Sequence, residues 1–332
     1  MKASTFDING VFVENTASIV GPKEAEGPLS KYFDKSVKDD LLGQKSHELA
    51  EIKFHLSTIR YLINKSGHKE NDIDLCISGD LLDEISGTSL TMRELDIPFL
   101  GAYNACATFA ESLITASVFI SSGKFSRIIC STSSHFCTAE RQYRFPLELG
   151  NQRTPLSQWT VTAAGAVMLN DKPAKVAVKR ATLGRVIDLG VTDANDMGAC
   201  MAPAAADTVC RHFAESGLEP DYYDLIATGD LGVAGSELMK VLAEKRGLKL
   251  GLNYNDCGAM IFNRVSQDVG QGGSGAACSS SVFSGFIYKK MLNGELKRVL
   301  LVPTGALCSK TSTLQGESIP GIAHAVAFEV NV

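Results

Sequence analysis

No stretch of the sequence is apolar for long enough to span a bilayer, and Met1–Gly10 is too polar for a signal-peptide core. Basic residues are not in excess. The 32 Lys and Arg are outnumbered by 37 Asp and Glu, and a net charge of −5 argues against nucleic acid as a partner. The nine cysteines include no Cys-x-x-Cys pair, and their odd number speaks against a disulfide framework. They read as reduced thiols of a cytosolic-type compartment, most of them small buried hydrophobes. Cys130 and Cys137 have no other ligand types beside them, which argues against zinc. No Gly-Lys-Ser/Thr follows Gly270–Gly275, so that run is not a phosphate-binding loop of the Walker kind and instead suits close backbone approach to a pocket. Asp188, Asp193 and Asp196 have the spacing of no calcium loop and are expected to cap turns.

What the chain does contain is an echo. Asp74-Leu-Cys-Ile-Ser-Gly-Asp-Leu81 returns as Asp224-Leu-Ile-Ala-Thr-Gly-Asp-Leu231. Gly123–Ile129 returns as Gly294–Leu300, and Ala164–Val167 as Ala323–Val326, in the same order. Short apolar runs ending in Gly-Asp suit buried parallel strands that break into tight loops. Three echoes in register predict one α/β unit built twice, with an N-terminal half at 1–172 and a C-terminal half at 173–332. The length and the 45% hydrophobic composition are ample for that core.

Residues 21–45, rich in Lys, Asp, Glu, Gly and Pro, predict an excursion outside the core. Ser46 is expected to cap a helix whose buried face carries Leu49, Ile52, Leu56, Ile59 and Ile63, with Gly67 as its stop. Strands are expected at 74–79, 127–131, 161–169, 176–182, 224–228, 298–303 and 322–330. Helices are expected from Ala102 to Ser122, near 203–216, after a Ser236 cap, and over 276–292. Between Ser133 and Trp159 lies a polar, aromatic and basic insert. This alternation predicts two doubly wound α/β halves whose sheets pack around helices from both.

Duplicated α/β halves with a cysteine entering a buried helix in the first resemble the thiolase and ketoacyl-synthase superfamily, over essentially the whole chain. At closer range the chain resembles the stage V sporulation AD family of spore-forming bacteria. Gly184-Arg-Val-Ile-Asp-Leu-Gly190, Met201-Ala-Pro-Ala-Ala-Ala-Asp-Thr208, Asn255-Asp-Cys-Gly258, Thr138-Ala-Glu-Arg-Gln142 and Glu317-Ser-Ile-Pro320 carry that match. The resemblance implies a thiolase-like α/β/α/β/α fold and a homodimer. It also implies an intracellular protein, peripheral at the inner membrane of the developing spore and working with membrane channel proteins. Its ligand would be dipicolinic acid, bound and not converted. No cofactor is implied, and calcium would enter only as the ligand's chelate.

Cys106 occupies the position acylated in condensing enzymes, where a helix amino end favours thiolate. Those enzymes also supply a histidine after the strand that Asp224–Thr228 would form, and an asparagine before the second-half counterpart of the cysteine helix. Here Gly229-Asp230 and Gly272-Gly-Ser-Gly275 stand in those places. A thiol without a positioned base and oxyanion donor loses most of the advantage of covalent catalysis, so Cys106 is expected to be a vestigial nucleophile and no catalytic residue is assigned. A flat dianion calls for planar cations and small donors. Cys106, Ser133, Ser134, His135, Thr138, Arg141, Arg144, Arg185 and His324 are the candidate ligand contacts, with Tyr143 and Phe145 beside the two insert arginines. Glu140 and Glu148 are possible ion-pair partners for those arginines, and no residue is assigned to a metal. Two alternatives stay open: a Cys-dependent acyltransferase or ketoacyl-synthase-like condensing enzyme using His324 as base, and a scaffold with an inert cavity.

Overall fold

The two apolar echoes form the strands Leu75–Gly79 and Leu225–Thr228, each fully buried. In the computed structural model the described residues are 3–144, 147–150 and 152–331, with the side chain of Glu148 left aside. The echo extends to hydrogen bonds. Asp74 accepts from the backbone N–H of Ser126 and Arg127 at 2.6 and 2.8 Å, and Asp224 accepts from Lys297 and Arg298 at 2.6 and 2.8 Å. The same carboxylate thus anchors the start of the neighbouring strand in each half.

From one edge to the other the sheet runs Tyr254–Asp256, Leu225–Thr228, Arg298–Val302, Ala325–Val330, Val176–Thr182, Phe12–Val20, Ala163–Asn170, Arg127–Ser134, Leu75–Gly79 and Phe99–Gly101. Numbered within its own half, each set has the order three, two, four, five, one from its outer edge, with the first strands meeting at the centre. The pattern of two parallel and two antiparallel pairings is the same in both. A short ladder, Phe12 to Ala177 and Val13 to Val176, joins the halves into one continuous sheet. The strand order is repeated as the echoes predict, but the two sheets expected are joined into one.

The core is shared across the repeat. Second-half helix Ala276–Val282 continues through a π-helical turn at Phe283–Ile287 into Tyr288–Leu292 and packs on the first-half strands Arg127–Ser134 and Ala163–Asn170. Phe283 meets Phe109 of the first-half helix Thr108–Ser121, with ring centroids 6.1 Å apart. The approach is close enough to require glycine: a Cβ on Gly165 would lie 2.3 Å from the Ser280 carbonyl carbon. No helix among the described residues is long and apolar enough to cross a membrane.

Several local expectations are corrected. The 21–45 segment is not an excursion, since Glu24, Leu29 and Phe33 are buried in it. Ser46 does cap helix His47–Lys65, accepting from Leu49 N, but Leu49 itself is 44% exposed. Ile59 and Ile63 are buried as expected, and the helix also buries Glu51, Phe54, His55, Thr58 and Leu62, polar residues that find partners inside the protein among them. Helix Thr108–Ser121 starts six residues later than its alanine-rich approach suggests. Ser236 lies inside helix Gly232–Glu244 and caps nothing. The helix expected near 203–216 begins earlier, at Met197, capped by Asp196. Strand Arg127–Ser134 extends through two residues assigned to the insert, and the final strand is interrupted at His324.

Candidate ligand-binding site

Cys106 sits on a turn ahead of its helix, not in it. Ala105 has φ +49°, a left-handed conformation uncommon for alanine. Thr108 pins the turn, its hydroxyl donating to Ala105 O at 2.7 Å and accepting from Asn104 N at 2.8 Å. From the second half, the backbone of Gly305 presses on Asn104, where a Cβ would come within 2.5 Å of the Asn104 carbonyl oxygen. Tertiary packing therefore imposes the strained φ and aims the cysteine side chain at a chamber between the halves.

That chamber has a volume of about 40 Å³ and is walled by Cys106, Tyr143, Arg144, Ser274, Gly275 and Cys308, among others. It is by far the narrower of two adjoining spaces. Tyr143 and Cys308 also border an open cleft of about 1090 Å³, in which Tyr103, Arg141 and Lys310 join Glu48, Asp83 and Glu84. The cleft is the mouth and the chamber its floor.

Asp230, from the second Gly-Asp copy, supplies the chamber's chemistry. Its buried carboxylate accepts from Thr304 Oγ1 at 2.7 Å, Ser274 Oγ at 2.9 Å and Gly275 N at 3.0 Å. Ser274 and Gly275, which hold it, wall the chamber together with Cys106. Burial pushes the thiol well above the usual cysteine range, and the neighbouring Asp230 charge pushes it further. Burial also raises the Asp230 carboxyl, against the pull of its donors. The expected helix-end thiolate is thus corrected: the helix begins only at Thr108, and the nearest charge is negative. The first Gly-Asp copy has a different task, Asp80 accepting from Leu82 N at 2.7 Å and Thr88 N at 2.5 Å to fix its own loop.

The structure distributes the candidate contacts among several places. Cys106 and Arg144 line the chamber, and Thr138 and Arg141 line the cleft. Arg144 pairs with Glu140, their side chains 6% and 8% exposed, and its Nε has no partner among the described residues. Arg141 pairs with Glu48 at 2.7 Å. Ser133 and Thr138 both donate to Glu51, at 3.2 and 2.7 Å. Ser134 sits behind Gly275, donating to Val161 O at 2.7 Å and accepting from Ala277 N at 3.2 Å. His135 is a buried helix cap whose Nδ1 accepts from Cys137 N and whose Nε2 faces Asp40 O. Arg185 lies apart from both spaces, held with Arg246 on Asp207 at 2.7 and 2.8 Å. Phe145, and the Glu148 side chain, fall outside the described residues.

His324 is engaged on both ring nitrogens. Gly184 N donates to Nδ1 at 3.0 Å, which puts the neutral ring's proton on Nε2, where it donates to the adjoining Asn104 side chain once that amide is turned with Oδ1 toward the ring. Burial pushes its pKa down to about 4. Neither nitrogen is free to take a proton from Cys106. Sequence reasoning missed Asp230, Ser274, Thr304, Cys308 and Lys310. Asp230 had a signal, the repeated Gly-Asp, but it reads only as a missing histidine until the fold sets it against the thiol.

A family model for stage V sporulation protein AD matches residues 2–329. Stage V sporulation protein AD of Bacillus subtilis (strain 168) is 42% identical over 319 residues, covering 96% of this chain and 94% of the relative. Among solved structures, 3-oxoacyl-[acyl-carrier-protein] synthase III from Aquifex aeolicus VF5 aligns with TM-score 0.58 at 14% identity, over 96% of this chain and 100% of its own. A variant of Xanthomonas campestris OleA aligns with TM-score 0.63 at 13% identity, over 98% of each chain. At these identities the structural likenesses speak to the fold alone: it is thiolase-like.

Proposed function

The chain belongs to the stage V sporulation protein AD family, and from that membership and the site geometry we propose that it is a non-enzymatic receptor for dipicolinic acid or its calcium chelate, serving uptake into the developing spore. The observation that carries the proposal is Cys106 set against Asp230, in the position where a condensing enzyme would need a base. A general base must be free to accept the nucleophile's proton, and His324 is committed to Gly184 and Asn104. That commitment weighs against the acyltransferase alternative.

The cleft is much the roomier space, and the ligand is placed there. There Tyr103 and Tyr143 offer flat walls, and Arg141 and Lys310 offer cations for carboxylates. Glu48, Asp83 and Glu84 make the rim mixed in charge, which suits an anion arriving with a divalent cation. Membrane channel proteins of the same system, at the inner membrane of the spore, are the proposed recipients, with a homodimer as the working unit. Calorimetric titration with dipicolinate, with and without calcium, tests the proposal. Saturable heat that weakens at least tenfold in Arg141→Ala and Lys310→Ala is expected. The absence of saturable heat in both buffers would remove the idea.

A further inference from the structure

The Gly-Asp repeat gives each half a buried aspartate at the end of its second strand, yet only the second-half copy faces a cysteine. Asp80 spends both oxygens on its own loop. Asp230 reaches across to the site: Oδ1 takes the Thr304 hydroxyl, and Oδ2 takes the Ser274 hydroxyl and the Gly275 amide, two residues that wall the chamber with Cys106. The side chain is therefore fixed by three donors, and two of them place it directly behind the wall that Cys106 shares.

We propose that Asp230, held behind the chamber wall, is the positioning residue that keeps Cys106 a thiol, and so makes this site one that binds acids without being acylated by them. A carboxylate beside a thiol opposes loss of the thiol proton, because ionisation would leave two adjacent negative charges in a buried site. The other polar groups at the chamber do not offset this. Arg144 is the one cation among the described residues lining it and is neutralised by Glu140, while Tyr143 and Cys308 are uncharged. The Ser274 hydroxyl and the Gly275 amide, which could have served an oxyanion, are both turned to Oδ2. One carboxylate thus removes nucleophile and oxyanion donors together. The inference deepens the non-enzymatic reading and does not depend on which ligand the cleft takes.

Asp230→Asn tests it. The amide fits the same three partners: its oxygen can face Ser274 and Gly275, and its NH₂ can face the Thr304 hydroxyl, which turns to accept. The readout is the Cβ resonance of Cys106 in protein labelled with ¹³C-cysteine, assigned by Cys106→Ala and followed against pH, which needs no reagent to enter the chamber. In the native protein the resonance is expected not to titrate near the ordinary cysteine value of about 8.5. In Asp230→Asn the midpoint is expected to fall by at least about one unit, roughly tenfold more thiolate at a given pH. In Ser274→Ala, which keeps the charge and removes a donor, the midpoint must stay or rise. An unchanged midpoint in folded Asp230→Asn overturns the inference, as does a fall in Ser274→Ala, which also decides the matter if Asp230→Asn does not fold. Calorimetry with dipicolinate on the same samples reports separately on the ligand.

Discussion

Glu51 is an acid with no cation beside it. It lies buried on helix His47–Lys65, accepts from Ser133 and Thr138, and feels the charge of Asp80. Burial first and Asp80 second push its pKa up to about 8, and burial raises Glu24 and Asp256 to about 7. A carboxyl held above its unfolded value keeps its proton in the fold while the unfolded chain has lost it. The folded state then binds more protons, and stability falls as pH rises from the unfolded value toward the folded one. Histidines act at the acid end: burial depresses His55 to about 3 and His212 and His324 to about 4, so stability also falls as pH drops below about 6.5. Thermal unfolding is therefore expected to show a maximum in mildly acidic buffer and a Tm lower by about 2 °C or more on going from about pH 6.5 to about 8.5. Glu51→Gln should flatten the alkaline side of that curve, since the amide keeps both hydroxyl partners. A Tm that rises steadily to about pH 8.5 in the native protein contradicts this assignment. None of these carboxyls announces itself in sequence, because Glu at a helical position reads as a solvated face. Only tertiary enclosure makes it a titrating core group.

At the scale of elements, the sequence was legible where burial is two-sided. Parallel strands enclosed on both faces leave apolar runs closed by Gly-Asp, and those runs located Leu75–Gly79 and Leu225–Thr228. The Cys106 turn was illegible for the opposite reason. Ala105 and Ala107 favour helix, yet Ala105 stands at φ +49° where Gly305 packs against Asn104 from the other half and Thr108 holds the turn. The buried face of helix His47–Lys65 was read correctly at Ile59 and Ile63 but not at Glu51 and His55, which point inward to hydroxyl partners that a periodicity of apolar residues cannot register. Edge strand Phe99–Gly101 pairs on one side only, with Leu75–Gly79, and presents Leu100 and Tyr103 at 43% and 47% exposure. An unpaired, apolar sheet edge favours strand addition by another chain, so the proposed homodimer is expected to form through it. Leu100→Lys should shift the protein to a monomer by light scattering while leaving its circular dichroism unchanged. A dimer of undiminished stability would place the interface elsewhere.

Across the whole molecule, the duplication separates a repeated frame from the site at the junction of its halves. Each half contributes the same strand order and the same aspartate anchoring its neighbouring strand, so the frame is stable twice over. The chamber between the halves is built from unequal residues: Cys106 from the first, and Ser274 and Cys308 from the second, with Asp230 holding Ser274 from behind. Changing one second-half residue at the end of a strand alters the site without disturbing the frame. Function is then a property of the junction, and a thiolase-like shape is compatible with a protein that binds an acid and returns it unchanged. Mass spectrometry of the intact protein after prolonged incubation with acyl-coenzyme A donors tests this most directly. The account predicts an unmodified mass. A stable acyl adduct that disappears in Cys106→Ala would contradict it.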